Sequence, residues 1–322
     1  MRILKFLACG AACAACAALA GGAQANPVIT SFDYPGTTVT EPLGIDNAGR
    51  VVGFYEISGV RHGFRRGANG NMLSFDPPGS VSTIAKSIST GGIVGSYQTS
   101  SGGMSHGFLR QPNGSYVTFD PPGSTGTMPA RITGNWIAGT YYLGPQQAHG
   151  FVRDPSGNIA TFDPSGLDST YVSGINSSGT ATGTYIDAKD HSFTRDVSGT
   201  VVNADPGPSG SISDGIAANG KISGSHHDGV AFIRHPNGAV QSFTVPGFST
   251  YPDSMSANGD WIVGTYVDTM LRGFVHGPGG TLATFDPAGS TNTSSRDINN
   301  AGEAAGWYAD SSGALHGFVR TP

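Results

Sequence analysis

The sequence predicts an all-β chain: a seven-bladed β-propeller of four-stranded antiparallel blades, closed by an N-terminal strand that joins the C-terminal blade. A segment of the form I-x-G-x-Y recurs seven times, its glycine falling at Gly53, Gly95, Gly139, Gly183, Gly224, Gly264 and Gly306, spaced by 40 to 44 residues. Each repeat holds four strand-like pieces separated by Gly, Asn and Pro turns, and four antiparallel strands per 40 to 45 residues are the signature of a propeller blade. The last repeat lacks a fourth piece, and one spare copy, Ile29-Thr30-Ser31-Phe32-Asp33-Tyr34-Pro35-Gly36, stands upstream of the first repeat.

The elements follow in chain order. Residues 1–25 read MRILKFLACGAACAACAALAGGAQA, with Arg2 and Lys5, an Ala-rich apolar run and the small-x-small triplet Ala23-Gln24-Ala25. This is the pattern of a secretory signal peptide cleaved after Ala25, too short and too rich in small residues for a membrane span, and it predicts a secreted or periplasmic protein. A lipoprotein reading through Cys9, Cys13 or Cys16 fits the residues before each poorly. All three cysteines of the 322-residue chain lie in this segment. Disulfides, thiol catalysis and Cys-bound zinc are therefore excluded for residues 26–322, which read as a single domain.

Removing residues 1–25 takes the net charge from −5 to about −7, because it removes two cations and no acid. No basic stripe is left to neutralise phosphates, so no nucleic-acid partner is expected. No later apolar run is long enough to span a bilayer. High glycine, and glutamate only at Glu41, Glu56 and Glu303, suit short strands and tight turns rather than helices.

Within a repeat, the first strand ends in a pattern such as Gly174-Ile175-Asn176, and an N-x-x-G turn leads to a second strand such as Trp261 to Tyr266. A variable loop precedes the third strand, as in His149-Gly150-Phe151-Val152-Arg153. The turn Pro155-Ser156-Gly157 then leads to the fourth, Asn158 to Asp163. The seventh third strand, His316 to Arg320, has no such continuation. Placing the spare N-terminal copy beside it closes the ring and leaves no bare edge between the termini.

The recurring HGF-x-R and F-D-P-P-G segments resemble the HAF-type extracellular repeats of exported bacterial proteins, and the match covers essentially all of residues 26–322. The resemblance implies an exported repeat protein. It brings no established reaction and no catalytic residues to carry over.

A histidine recurs at His62, His106, His149, His191 and His316. The pattern of loss predicts a structural pair with the Asp of the following strand (Asp76, Asp120, Asp163, Asp205, Asp286) rather than a metal or acid–base role. Where Val230 replaces the His, Thr244 replaces the Asp; where Arg272 replaces it, Asp286 stays; and Asp33 of the N-terminal copy is left to serve His316. The Phe after each His-Gly (Phe64, Phe108, Phe151, Phe193, Phe232, Phe274, Phe318) is expected to pack between blades.

Two other features carry little chemistry. Gly-Met-Ser-His-Gly at 103–107 matches a nucleophile-elbow pattern, but Ser105 belongs to a hairpin and not to a strand-to-helix turn. His226-His227-Asp228 is the one dense cluster of ligand-type residues, in the shortened loop of the fifth repeat, and reads as a solvated turn. No metal and no cofactor are expected.

In a propeller the repeat builds the scaffold, so chemically loaded departures from it are the better site candidates. The residue two before the Ile or Met of each first strand runs Leu43, Lys86, Ala130, Ser173, Asp214, Asp253, Arg296. Two positions earlier stand Glu41, Ile84, Met128, Tyr171, Ile212, Tyr251 and Ser294, and Glu56 is expected on the same face, around the channel. As a binding module, this mouth would hold an oligosaccharide or peptide, with Tyr171 and Tyr251 stacking and Lys86, Asp214, Asp253 and Arg296 orienting it. As a carbohydrate-active enzyme, a glycoside hydrolase would draw its carboxyl pair from Glu41, Glu56, Asp214 and Asp253. A polysaccharide lyase would instead use a Tyr or His base beside Arg or Lys. A purely structural surface protein is the third reading, and a monomer is expected in each case.

Overall fold

The computed structural model describes residues 27–164, 166 and 169–322, so the segment expected to be an export signal lies outside the described residues. The described residues form seven four-stranded antiparallel sheets, each built in the order of the chain except one. In the first blade β2 (Thr40–Ile45) is innermost, followed by β3 (Val51–Ile57), β4 (Val60–Arg66) and β5 (Met72–Phe75). The exception is the seventh blade, where β26 (Asn292–Ile298), β27 (Ala304–Ala309) and β28 (Leu315–Thr321) are completed on the outside by β1 (Val28–Phe32). The spare N-terminal copy thus does close the ring, in a five-residue register from Val28 opposite Thr321 to Phe32 opposite Gly317.

The blades are locked together by one repeated aromatic device. The third-strand phenylalanines Phe64, Phe108, Phe151, Phe193, Phe232, Phe274 and Phe318 are all fully buried. In six of the seven seams the third-strand Phe meets a Phe from the outer strand of the preceding blade edge-on, from 5.7 Å for Phe162–Phe193 to 6.4 Å for Phe75–Phe108. Arg66, Arg110, Arg153, Arg195 and Arg320 lie over those outer-strand rings at 4.7 to 5.4 Å, and His276 does so over Phe243. The seam between the fourth and fifth blades has neither, because the fourth blade's outer strand, Val201–Asn203, ends in Asn where the others carry Phe.

The recurring histidines are structural pairs, as the co-loss pattern predicts. Nδ1 meets an Asp oxygen in His62–Asp76 (2.7 Å), His106–Asp120 (2.8 Å), His149–Asp163 (2.8 Å) and His191–Asp205 (2.5 Å). The closing strand brings Asp33 to His316 at 3.0 Å, and Arg272 donates to Asp286 at 2.8 Å. In the second and fourth blades the same carboxylate also accepts a hydroxyl from the next blade, from Thr127 to Asp120 and from Ser211 to Asp205. Burial opposes ionisation of Asp205, but bonds from His191, Ser211, Asn203 and the Ser192 N–H hold its carboxyl below the ordinary range. The fifth blade carries Val230 and Thr244 and has no such pair.

Ser105 is the first residue of its strand, paired with Gln98. His226 to Gly229 form a tight turn, the Gly229 N–H donating to the His226 carbonyl, and His227 reaches Asp190 of the neighbouring blade at 3.2 Å.

Candidate functional site

The inner strands of the seven blades surround the channel: Thr40–Ile45, Ser82–Ser89, Gly126–Thr133, Thr170–Ile175, Ser211–Ile216, Ser249–Met255 and Asn292–Ile298. Each carries a β-bulge at the same place. The ladder with the second strand skips one residue, and the residues skipped are Leu43, Lys86, Ala130, Ser173, Asp214, Asp253 and Arg296. A bulge frees one residue from the ladder and re-aims it, and all seven line a single cavity of about 230 Å³.

The same bulge explains the repeat's most regular residue. A Cβ at Gly53, Gly95, Gly139, Gly183, Gly224, Gly264 or Gly306 would collide with the backbone carbonyl two residues ahead of the bulged one, such as that of Glu41 or Tyr251. Only glycine lets the second strand approach the inner strand there.

The cavity is charged unevenly. Asp214 and Asp253 stand on the adjacent fifth and sixth blades, Arg296 on the seventh and Lys86 on the second. In a ring of seven, the second blade lies across the channel from the seam between the fifth and sixth, so Lys86 faces the two carboxyls over the opening. Arg296 Nη1 is 3.8 Å from Asp253 Oδ1, and the Thr265 hydroxyl donates to Asp253 Oδ2 at 3.1 Å. The Arg296 guanidinium also lies 5.8 Å over the Trp307 ring. Asp214 Oδ2 and Arg296 Nε are buried without a hydrogen-bond partner.

Desolvation governs these groups. Burial, and then the charge of Asp253, push the Asp214 carboxyl well above the ordinary carboxylate range. Burial lifts Asp253 to about 6, against Arg296, the Thr265 hydroxyl and Lys86. Lys86 is exposed to the channel, yet the surrounding protein lowers its ammonium from the ordinary value, with Arg296 adding to the effect.

Glu41, Tyr171 and Tyr251 stand one layer out from the cavity wall. Tyr171 and Tyr251 are 42% and 40% exposed and join Met128 and Ile212 in a run of exposed apolar side chains over the third to sixth blades. Glu41, raised by burial against Arg296 and Arg61, belongs to the opposite, polar part of the rim. Glu56 lies close enough to Glu41 to disfavour its ionisation, but it is engaged with Arg61 at 3.5 Å.

The floor of the cavity is formed one position beyond the bulged residues. Arg131 Nη1 meets Asp297 Oδ1 at 2.6 Å, joining the third and seventh blades directly across the channel. Asp297 is 1% exposed and also accepts from the Ser254 hydroxyl at 2.7 Å and the Ile45 N–H at 2.9 Å. Arg131 lines both the upper cavity and a second one of about 390 Å³ on the opposite face. The signal was present one position further along: Gly44, Ser87, Arg131, Gly174, Gly215, Ser254 and Asp297 are five small residues and two of opposite charge.

No protein-family model and no curated protein matches the chain. Its fold is similar to that of streptogramin B lyase, at 13% identity over 92% of this chain and 98% of that one, with a TM-score of 0.63. The virginiamycin B lyase of Staphylococcus aureus gives 12% identity, 92% and 100% coverage and 0.63. Puromycin hydrolase gives 13%, 87% and 52%, and 0.57. At such identities the likeness is one of fold, and on that level the chain is a seven-bladed β-propeller of four-stranded blades.

Proposed function

We propose that this is an exported, monomeric propeller that binds a polar ligand, an oligosaccharide or a peptide, at the mouth of its channel. One observation carries the reading: seven identical bulges display seven residues into one cavity, and the charged ones among them include buried atoms with no partner in the protein. A desolvated carboxyl without a partner costs stability, and groups held off their ordinary pKa in a concave site mark binding or catalysis more often than scaffolding. Export is supported by the signal-like residues 1–25 and by the resemblance to HAF-type repeats.

Binding of oligosaccharide and peptide panels to the full-length secreted protein tests this. The expected result is a ligand whose affinity falls at least tenfold in both Asp214→Asn and Tyr251→Ala, with the fold retained by circular dichroism. A ligand unaffected by either substitution would place binding elsewhere.

A second reading rests on the two adjacent carboxyls, one held well above the ordinary range and the other at about 6. Neighbouring carboxyls with unlike proton affinities are how enzymes assign an acid and a base. Similar folds named as lyases and a hydrolase support keeping that chemistry in view. Reducing-end and unsaturated-product assays on extracellular polymers separate the readings: turnover abolished by Asp253→Asn would establish catalysis.

A further inference from the structure

We propose that the ligand of this mouth is a zwitterion of dipeptide size, its ammonium on the Asp214–Asp253 wall, its carboxylate on the Lys86–Arg296 side and its side chain on the rim tyrosines. The inference rests on the binding reading above and names the ligand class. Four ionisable side chains share the cavity, and its acids and bases are segregated rather than interleaved. The acids occupy two adjacent blades, while Lys86 stands on the blade across the channel from their seam.

The protein leaves these charges largely unpaired. Lys86 makes no hydrogen bond or ion pair among the described residues, Asp214 Oδ2 and Arg296 Nε are buried without partners, and Arg296 approaches Asp253 only to 3.8 Å. A neutral sugar would leave such walls uncompensated. A purely anionic or cationic ligand would satisfy one wall and be repelled by the other. A molecule with both charges compensates both, and charge-assisted hydrogen bonds are stronger than neutral ones.

Size and polarity agree. A cavity of about 230 Å³ is too small for an extended chain but suits a head of one or two residues. Above it, Met128, Tyr171, Ile212 and Tyr251 offer an exposed apolar crescent for a hydrophobic or aromatic side chain.

The test is calorimetric titration of the full-length protein at pH 7.5 with glycyl-tyrosine, its N-acetyl form and its C-terminal amide. Glycyl-tyrosine is expected to bind at least tenfold tighter than either blocked form. In Asp214→Asn/Asp253→Asn the penalty for acetylation should vanish while that for amidation persists; Lys86→Met/Arg296→Gln should show the converse. Blocked forms that bind as tightly as the free dipeptide would overturn the proposal, and this arm uses only the native protein. Chitotetraose, titrated alongside, keeps the two readings apart. If it binds in a Tyr251-dependent way and the dipeptides do not, the zwitterion is wrong and the polar-ligand mouth survives. If no probe binds, the zwitterion is wrong, and the oligosaccharide and peptide panels decide the polar-ligand mouth.

Discussion

The outer and inner halves of the blades use the repeat in opposite ways. Outside, the same side chains recur: Phe against Phe in six seams, Arg or His over the ring, and His or Arg bonded to Asp in six blades. Inside, the backbone recurs and the side chains differ, since every bulge skips the same ladder position and the seven display Leu, Lys, Ala, Ser, Asp, Asp and Arg in turn. The one repeat thus carries two kinds of position, one uniform in chemistry and one uniform only in backbone register. Recurring residues hold the ring together, whereas the bulged ones give the cavity a lining without sevenfold symmetry.

Substitutions that exchange these roles would break the comparison. The largest effect is expected from deleting residues 27–36, which removes β1, the Asp33–His316 bond, the edge contact of Phe32 with Phe64 and the stack of Tyr34 on Tyr55 at 3.7 Å. Loss of cooperative unfolding in urea is the expected result, and a stable, soluble deletion variant would show that closure is dispensable.

Arg131→Ala comes next. It leaves Asp297, 1% exposed, without its cationic partner while Ser254 and Ile45 still donate to it, a loss of about 2–4 kcal/mol for a half-buried pair. Chemical denaturation should show this loss although the residue lies on the inner side. Arg131 would then belong to the scaffold despite its place beside the site.

The outer pairs are expected to be smaller and coupled. A double-mutant cycle on His191→Ala and Asp205→Ala, whose side chains are 14% and 9% exposed, should give a coupling energy of about 1–3 kcal/mol. Additive losses would mean that the recurring pair does not act as a pair.

The smallest effect should carry the opposite sign. Asp253 binds its proton more tightly in the folded chain than in the unfolded one, with a native value of about 6 against an ordinary 3.8. Between those values the native state holds more protons, so this contribution to stability falls as pH rises through the window. Asp253→Asn is therefore expected to stabilise the protein by about 1–2 kcal/mol at pH 8, and to be nearly neutral at pH 4. Thermal melts at the two pH values check it; equal destabilisation at both would make Asp253 a scaffold residue.

Most of the scaffold was legible in the sequence because it is periodic. Strand order, ring closure, the buried Phe layer and the His–Asp bonds all follow from aligning the copies, and the joint replacement of His by Val230 and of Asp by Thr244 reads as one missing bond. Of the candidate site, the sequence showed positions: Lys86, Asp214, Asp253 and Arg296 share a cavity. What the sequence withheld depends on distances around the ring. Nothing local links Arg131 to Asp297, which are 166 positions apart. Nor does sequence show that Glu56 is taken up by Arg61, or that Glu41, Tyr171 and Tyr251 form a rim outside the cavity wall.

The recurring bulge has a practical consequence. Each displayed residue sits outside the ladder of its own blade, so exchanging it re-registers no strand and leaves the aromatic seams untouched. Seven codons, one per blade, thereby become separate addresses around one opening. Randomised together, they would make a combinatorial receptor library on a fixed frame, with specificity rewritten by sequence while the architecture stays constant.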